Sequence, residues 1–327
     1  MIDRRTSYNV NELRGLACFL LVAYHVVGVP GSGMEVGDDS WYRYVTSSFE
    51  PVRMPLFTFI SGLVYAYRPA GADRLAPFYG KKLRRLLIPF VTISTLFYLM
   101  QAVTPGAHGA YAPSEMWRIY VYSYAHFWYL QALFLIFLPV GLLDAFGITT
   151  RPLPFALLFA AALAAGMTLS VPDNPFSINE AMILLPHFLL GVAFTRFPAL
   201  FRRPEVVGLT VAGLALSIGM HQMALFQHHA LAWSDPVPML CGMCGAMVLL
   251  RVMPSSAVFR RIGGHSYSIY LHHAFFTAGM RVVMHRLHLP DLAVFTAALA
   301  AGIAGPMLLE ALASLRPITR VALVGKV

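Results

Sequence analysis

The sequence predicts an all-α, polytopic membrane protein of about ten transmembrane helices, and three observations predict it. Of 327 residues, 58% are hydrophobic and only 12% are charged, where a soluble domain runs at about 45–50% and about 25%. Mean hydropathy is +0.65. The apolar residues fall into ten runs, each close to the ~20 residues that cross a hydrocarbon core. So little charge cannot clothe a water-facing surface of this size, which excludes a soluble enzyme, a disordered chain and a fibrous repeat. A single transmembrane domain over 1–327 is expected, with no separate soluble domain.

The first span is placed at 12–29. Its apolar stretch resembles a signal-peptide core, but Glu12 and Arg14 adjoin it and no small-residue cleavage pattern follows, so it reads as a retained helix. Span two is placed at 51–67, span three at 86–104 behind a basic run, and span four at 124–143. Spans five (153–170), seven (205–222) and ten (291–313) are rich in Ala and Gly, which lets helix backbones approach closely. Span six is placed at 179–197, eight at 236–252 and nine at 265–285, the last with hydroxyls and histidines along it. The first outer loop, 30–50, mixes Glu35, Asp38, Asp39 and Glu50 with Trp41, Tyr42 and Tyr44. It suits a plain interfacial loop or a sugar-binding one.

The net charge of +9 reads as topology rather than nucleic-acid binding, because the basic residues cluster between apolar runs. With the N-terminus inside, alternate loops hold 18 of the 24 Lys and Arg. Arg43, Arg53, Arg118, Arg281 and Arg286 lie in or beside the other segments, and Arg14 lies within span one. Both termini are therefore expected in the cytoplasm. Cys18, Cys241 and Cys244 sit in apolar runs, without the His or second Cys pair of a metal site, and read as packing residues.

Ionisable residues inside a span default to functional candidates. Arg14 and His25 lie 11 residues apart, an angular offset of about 20° and a rise of about 16 Å on an α-helix. One face of span one thus carries a fixed cation near the cytoplasm and a titratable base further out. That suits an anionic substrate entering from the cytoplasm, with Arg holding oxygens and His taking a proton from a hydroxyl. The alternative is an Arg that snorkels to lipid phosphate and a packed core His. Lys81, Lys82, Arg84 and Arg85 precede span three and match a polyphosphate, or equally an anionic lipid surface. At the start of span nine, Tyr267 and Tyr270 share one face while Ser266, Tyr270 and His273 share another, a polar interior that could be a site or interhelical glue.

Five stretches in order resemble the integral-membrane acyltransferases called acyltransferase type three. Asn11 to Ala17 leading to His25 is similar to their opening R-x10-H motif. Met54-Pro55-Leu56-Phe57-Thr58-Phe59-Ile60-Ser61-Gly62 resembles F-F-x-x-S-G. Phe78 through Pro89 resembles R-x-x-R before a proline, with Lys in the first place. His126-Phe127-Trp128-Tyr129-Leu130 resembles H-x-W-[FY]-L, and Gly263 to His272 the late G-x-x-S-Y-x-x-Y-x-x-H pattern. The resemblance implies ten helices with both termini inside and an acyl-CoA donor on the cytoplasmic side. It also implies His25 as the essential base and Arg14 as a donor-binding cation. The R-x-x-R role falls on Lys82 with Arg85 or on Lys81 with Arg84.

Joined to the physical reading, the resemblance implies a transmembrane O-acetyltransferase of the bacterial inner membrane. The head of acetyl-CoA would rest on Lys81, Lys82, Arg84, Arg85 and Arg14. Its pantetheine arm, about 15–20 Å long, is comparable to the Arg14–His25 rise. The acceptor would be a glycan or lipid-linked saccharide on the far side. Ser61, Tyr267 and Tyr270 are oxyanion candidates, and Trp128 and His272 further substrate contacts. No metal is expected. The runner-up is a transporter of an anionic or acylated small molecule, which should show paired inverted halves with broken helices; none is evident. His108, His221, His228, His229, His285 and His288 read as solvated or interfacial, His187 as a packed residue, and Glu310 as a partner of Arg316 or an inner-boundary residue.

Overall fold

The computed structural model describes residues 4–29, 32–104 and 111–325, with side chains from Val10 onward. The described residues are helical and contain no strand. The expected site residues all fall within them, whereas His108 and Lys326 lie outside.

Each expected span coincides with a helix: α1 (Arg4–Val27), α2 (Glu50–Ala66), α3 (Ile88–Val103), α4 (Trp128–Ala145) and α5 (Pro152–Thr168). There follow α6 (Ile178–Arg196), α7 (Pro204–Phe226), α8 (Pro236–Val252), α9 (Ser266–Arg286) and α10 (Asp291–Ala313). Six helical segments are long and apolar enough to cross a membrane: Val10–Val27, Ala72–Val103, Trp128–Ala145, Pro175–Arg196, Pro204–Phe226 and Asp291–Ala313. The others fall short for identifiable reasons. α2, α5 and α8 have 17 residues each. α9 is long enough but carries Ser266, Tyr267, Ser268, Tyr270, His272 and His273 in its first turns.

α1 lies at the centre, against α2, α9, α10 and the short helix Ala257–Gly264. The tightest pair is α2 with α6. Gly62 faces the Phe188 carbonyl and Gly191 faces that of Phe59, so each helix offers its small residue to the other's backbone. Gly15 and Gly263 bring α1 equally close to Ala257–Gly264. Pairs of small residues therefore set the bundle's spacing, and Phe59, Phe127 and Phe188 fill the core.

Polar groups tie the end of the bundle where α1 begins. Asp144, closing α4, takes both terminal nitrogens of Arg196 at 2.7 and 2.9 Å and the Tyr65 hydroxyl at 2.8 Å. Arg260 meets buried Glu12 at 2.9 Å. Glu310 accepts from His265 at 2.9 Å, so its described partner is His265 rather than Arg316. His221, expected to be solvated, is buried on α7 and donates to the Ser47 carbonyl at 3.1 Å. Arg53, counted at the edge of an outer segment, is only 4% exposed inside α2.

The basic run before α3 departs most from expectation. Leu75–Lys82 is α-helical, but Leu83–Leu87 forms one π-helical turn before α3 resumes. A π-turn shifts the face on which following residues emerge, and such turns are frequent at functional sites.

The α2–α6 approach leaves no room for a methyl group. A Cβ at Gly62 would lie 1.9 Å from the Phe188 oxygen, and one at Gly191 would lie 2.0 Å from that of Phe59. Gly62→Ala and Gly191→Ala are each expected to cost about 1–3 kcal/mol or more, read as a lower thermal midpoint in detergent. Gly208→Ala and Gly219→Ala, where nothing lies within 4 Å, leave the midpoint unchanged. Equal midpoints for all four would refute this packing.

Candidate functional site

His25 sits on the last turn of α1, and its Nδ1 is 2.9 Å from the Leu21 carbonyl. A carbonyl only accepts, so Nδ1 carries the proton and Nε2 keeps the lone pair. The ring is only partly buried. Two further imidazoles surround it: His273 of α9 at 4.7 Å between ring centroids, and His126 at 5.9 Å. His126 and His273 are 4.6 Å apart.

Local backbone explains these positions. His273 bonds the carbonyls of Ile269 and Tyr270 through Nδ1, at 2.9 and 3.0 Å, which leaves its Nε2 buried and unpartnered. His126 enters just before α4, after Ala125 in the left-handed region at φ 46. It contacts the Leu271 carbonyl through Nε2 at 3.4 Å. Thus α1, α4 and α9 each contribute one imidazole. Among the described residues, no group of three His, Cys, Asp or Glu converges as metal ligands.

From this cluster a column of hydroxyls runs back toward Arg14. Tyr270 packs on His126 at 5.7 Å and donates to the His126 carbonyl. Tyr129 packs on Tyr270 at 5.6 Å, and its hydroxyl lies 3.3 Å from that of Thr58. Arg14 lies within electrostatic range of both Tyr129 and Arg85, and among the described residues its guanidinium has no ion-pair partner. Lys82 follows, in range of Arg85, its ammonium 3.5 Å from the centre of the Phe137 ring. Tyr267 closes the column by donating to the Arg85 carbonyl at 2.5 Å.

The π-turn sorts the basic run. Half-buried Lys82 and exposed Arg85 neighbour each other, and Arg85 is in electrostatic range of Arg14, whereas Lys81 is exposed and exposed Arg84 turns back to the Gly80 carbonyl at 3.3 Å. The structure therefore brings together Arg14, Lys82, Arg85, Tyr267, Tyr270 and His25. Ser61 adjoins the Tyr129 hydroxyl of this column, and its own hydroxyl donates to the Phe57 carbonyl 2.9 Å away. Trp128 packs on Trp233 at 5.4 Å, beside the Trp233–Glu50 hydrogen bond of 3.0 Å. His272 bonds the Ser268 carbonyl at 3.0 Å, so the α9 imidazole that stacks near His25 is its neighbour His273.

Sequence reasoning named His272 and did not single out His273, whose ring is the α9 imidazole packed on His25; both keep a buried, unpartnered Nε2. The signal was present, because His273 shares a face with Ser266 and Tyr270. It also left out Tyr24 and Arg53. Tyr24 packs edge-on to His25 at 5.2 Å, and Arg53 lies over the Tyr24 ring at 3.6 Å. A lone Arg at a span's edge gave no such signal.

A family model described as an acyltransferase domain, that of acyltransferase type three, matches residues 7–311. No curated protein and no solved structure matches the chain.

Pyrophosphate titrated onto the detergent-solubilised protein should bind this mouth. Removing one charge-assisted contact costs about 1.5–3 kcal/mol, so Lys82→Met and Arg85→Met should each weaken binding about tenfold or more. Lys81→Met and Arg84→Met should change it less than about twofold, since they are exposed and, unlike Arg85, are not in electrostatic range of Arg14 and Lys82. Equal losses from all four would show that the π-turn does not sort the charges.

Proposed function

The chain belongs to the acyltransferase type three family, and on that premise we propose that it is a transmembrane O-acyltransferase carrying an acyl group, acetyl in the first instance, from cytoplasmic acyl-CoA to a hydroxyl of an extracytoplasmic carbohydrate. In this reading all ten helices span a bacterial inner membrane and both termini are cytoplasmic. One observation carries it: an unbroken polar column inside an apolar bundle joins a cationic mouth to a histidine whose Nε2 lone pair is free.

The diphosphate and 3′-phosphate of coenzyme A rest on Lys82, Arg85 and Arg14, with Lys81 and Arg84 at the rim. Phosphate needs such cations and remains at the end of the bundle where hydration is available. The pantetheine arm follows the column of Tyr267, Tyr129 and Tyr270 and delivers the thioester beside His25. The acceptor arrives from the other end, where Trp128, Trp233 and Glu50 form an aromatic and acidic surface.

His25 Nε2 removes the proton of the acceptor hydroxyl while its oxygen attacks the thioester carbonyl carbon. The new C–O bond forms and the carbonyl π pair moves onto oxygen. When the intermediate collapses, the C–S bond breaks and the thiolate takes the proton from the His25 imidazolium. The Leu21 carbonyl holds His25 in the tautomer this needs. His273 Nε2, unpartnered beside it, suits a second hydroxyl of the same sugar, so a polyol acceptor fits better than a simple alcohol. The dry bundle keeps water from the thioester.

With protein in nanodiscs and radiolabelled acetyl-CoA, label should pass to members of a saccharide panel. His25→Ala should lose about 10²–10⁴ of the rate, the size of a general-base contribution, with acetyl-CoA affinity held within about twofold. Arg14→Ala should weaken that affinity. A wild-type protein that neither binds nor consumes any acyl-CoA would refute the donor and bring the transporter reading forward.

A further inference from the structure

The reaction proposed above places negative charge on the former thioester oxygen, so a hydrogen-bond donor must face it. The three hydroxyls that sequence offers for this task have each committed their one proton. Ser61 donates to the Phe57 carbonyl at 2.9 Å, Tyr267 to that of Arg85, and Tyr270 to that of His126. A hydroxyl has a single hydrogen, so none can donate to the substrate without abandoning a buried carbonyl. The imidazoles are committed as well: His25 and His273 spend their Nδ1 protons on backbone carbonyls, and Nε2 of His126 points to that of Leu271.

Arg53 differs from all of these. It is 4% exposed, and its Nε and Nη1 are buried with no hydrogen-bond partner. The guanidinium lies 3.6 Å over the centre of the Tyr24 ring, which packs against His25, and it is within electrostatic range of both His25 and His273. The groups facing this pair are the cations Arg53 and Arg281 and the carboxylate of Glu50. Arg281 is occupied with the carbonyls of His25 and Val26 at 2.7 and 3.3 Å, and Glu50 accepts from Trp233. Glu50 is in electrostatic range of Arg53 but makes no ion pair with it, and a buried guanidinium without an ion-pair partner is costly; the transient negative charge of the reaction would relieve that cost.

We propose that Arg53 is the oxyanion-stabilising group, a catalytic residue whose unpartnered N–H groups hold the thioester oxygen as it becomes negative. The proposal rests on the acyl-transfer reading. When the acceptor oxygen attacks, the π pair moves to the carbonyl oxygen and is held by Arg53. It returns to re-form C=O as the C–S bond breaks, so Arg53 neither gains nor loses a proton. An Arg retained instead to recognise an anionic sugar would act only on acidic acceptors.

The test compares wild type with Arg53→Met, which keeps the buried volume, and Arg53→Lys, which keeps the charge. Each is assayed with acetyl-CoA against a neutral and an acidic saccharide. Arg53→Met should lower kcat by about 10²–10³, the loss typical of one oxyanion donor, equally for both acceptors. Arg53→Lys should recover part of the rate. Acetyl-CoA affinity should stay within about twofold in both variants. The thermal midpoint of Arg53→Met should equal or exceed that of wild type, because an unpaired buried charge has been removed. Loss confined to the acidic saccharide would overturn the proposal in favour of acceptor recognition. A lowered midpoint with unchanged kcat would overturn it in favour of a structural role. Failure of the acyl-transfer reading itself shows differently, as a wild-type protein that does not turn over acetyl-CoA.

Discussion

Inside an apolar bundle a polar side chain has no water to fall back on, and the rest of this structure depends on how that constraint is met. Every donor and acceptor must find a protein partner, reach an aqueous end, or await a ligand. Thr58 and Ser61 of α2 and Tyr270 of α9 take the first course and return their protons to backbone carbonyls. This anchors Tyr129 and Tyr270 as a column between Arg14 and the histidines. It also uses up the protons that would make them catalytic donors. Positioning and catalysis compete for the same hydrogen, and in this bundle positioning takes the hydroxyls.

The same constraint sorts the charges. Asp144 with Arg196, Glu12 with Arg260 and Glu310 with His265 each join a carboxylate to a base at the end of the bundle where α1 begins. They link α4 to α6, α1 to the helix Ala257–Gly264, and α9 to α10. Breaking a buried pair of this kind leaves one uncompensated charge, which costs about 3–5 kcal/mol, so such pairs hold the helices in register. Among the described residues, Arg14 and Arg53 have no carboxylate within ion-pairing distance. In the proposed reaction, such cations are explained by what they would meet during turnover rather than at rest.

Much of this was legible in the sequence, and the limits have physical causes. Each hydropathy run coincides with a helix, six of them within segments long and apolar enough to cross a membrane, and the 11-residue spacing puts Arg14 and His25 on one face because α1 is a regular helix through that interval. The basic run was not legible, since regular spacing cannot foresee a π-turn at Leu83–Leu87, and the choice between Lys82 with Arg85 and Lys81 with Arg84 turns on it. His273 was legible as a face but not as a site. Arg53 was hidden altogether, because a charge count treats an arginine near a span's end as topology, whereas its burial depends on α1 passing beside it.

The π-turn bears on how the donor's charge and its reactive end are separated. Four cations in five residues on a regular helix would spread around its surface, and a polyphosphate would meet only part of them. In this structure Arg85 is in range of both Arg14 and half-buried Lys82, while Lys81 and Arg84 are exposed and Arg84 turns back to Gly80. The charged head then meets a graded field, strongly hydrated at the rim and drier toward Arg14. From Arg14 inward the column offers aromatic rings and hydroxyl oxygens but no further cation until Arg53, beyond His25. A phosphate gains nothing by advancing past Arg14, while a neutral thioester loses little by doing so. The gap between the two unpaired arginines thus acts as a ruler. In the proposed acyl transfer it would stop a coenzyme A head at one end and admit the thioester carbonyl to the other, where the only negative charge that carbonyl would carry is the one the reaction creates.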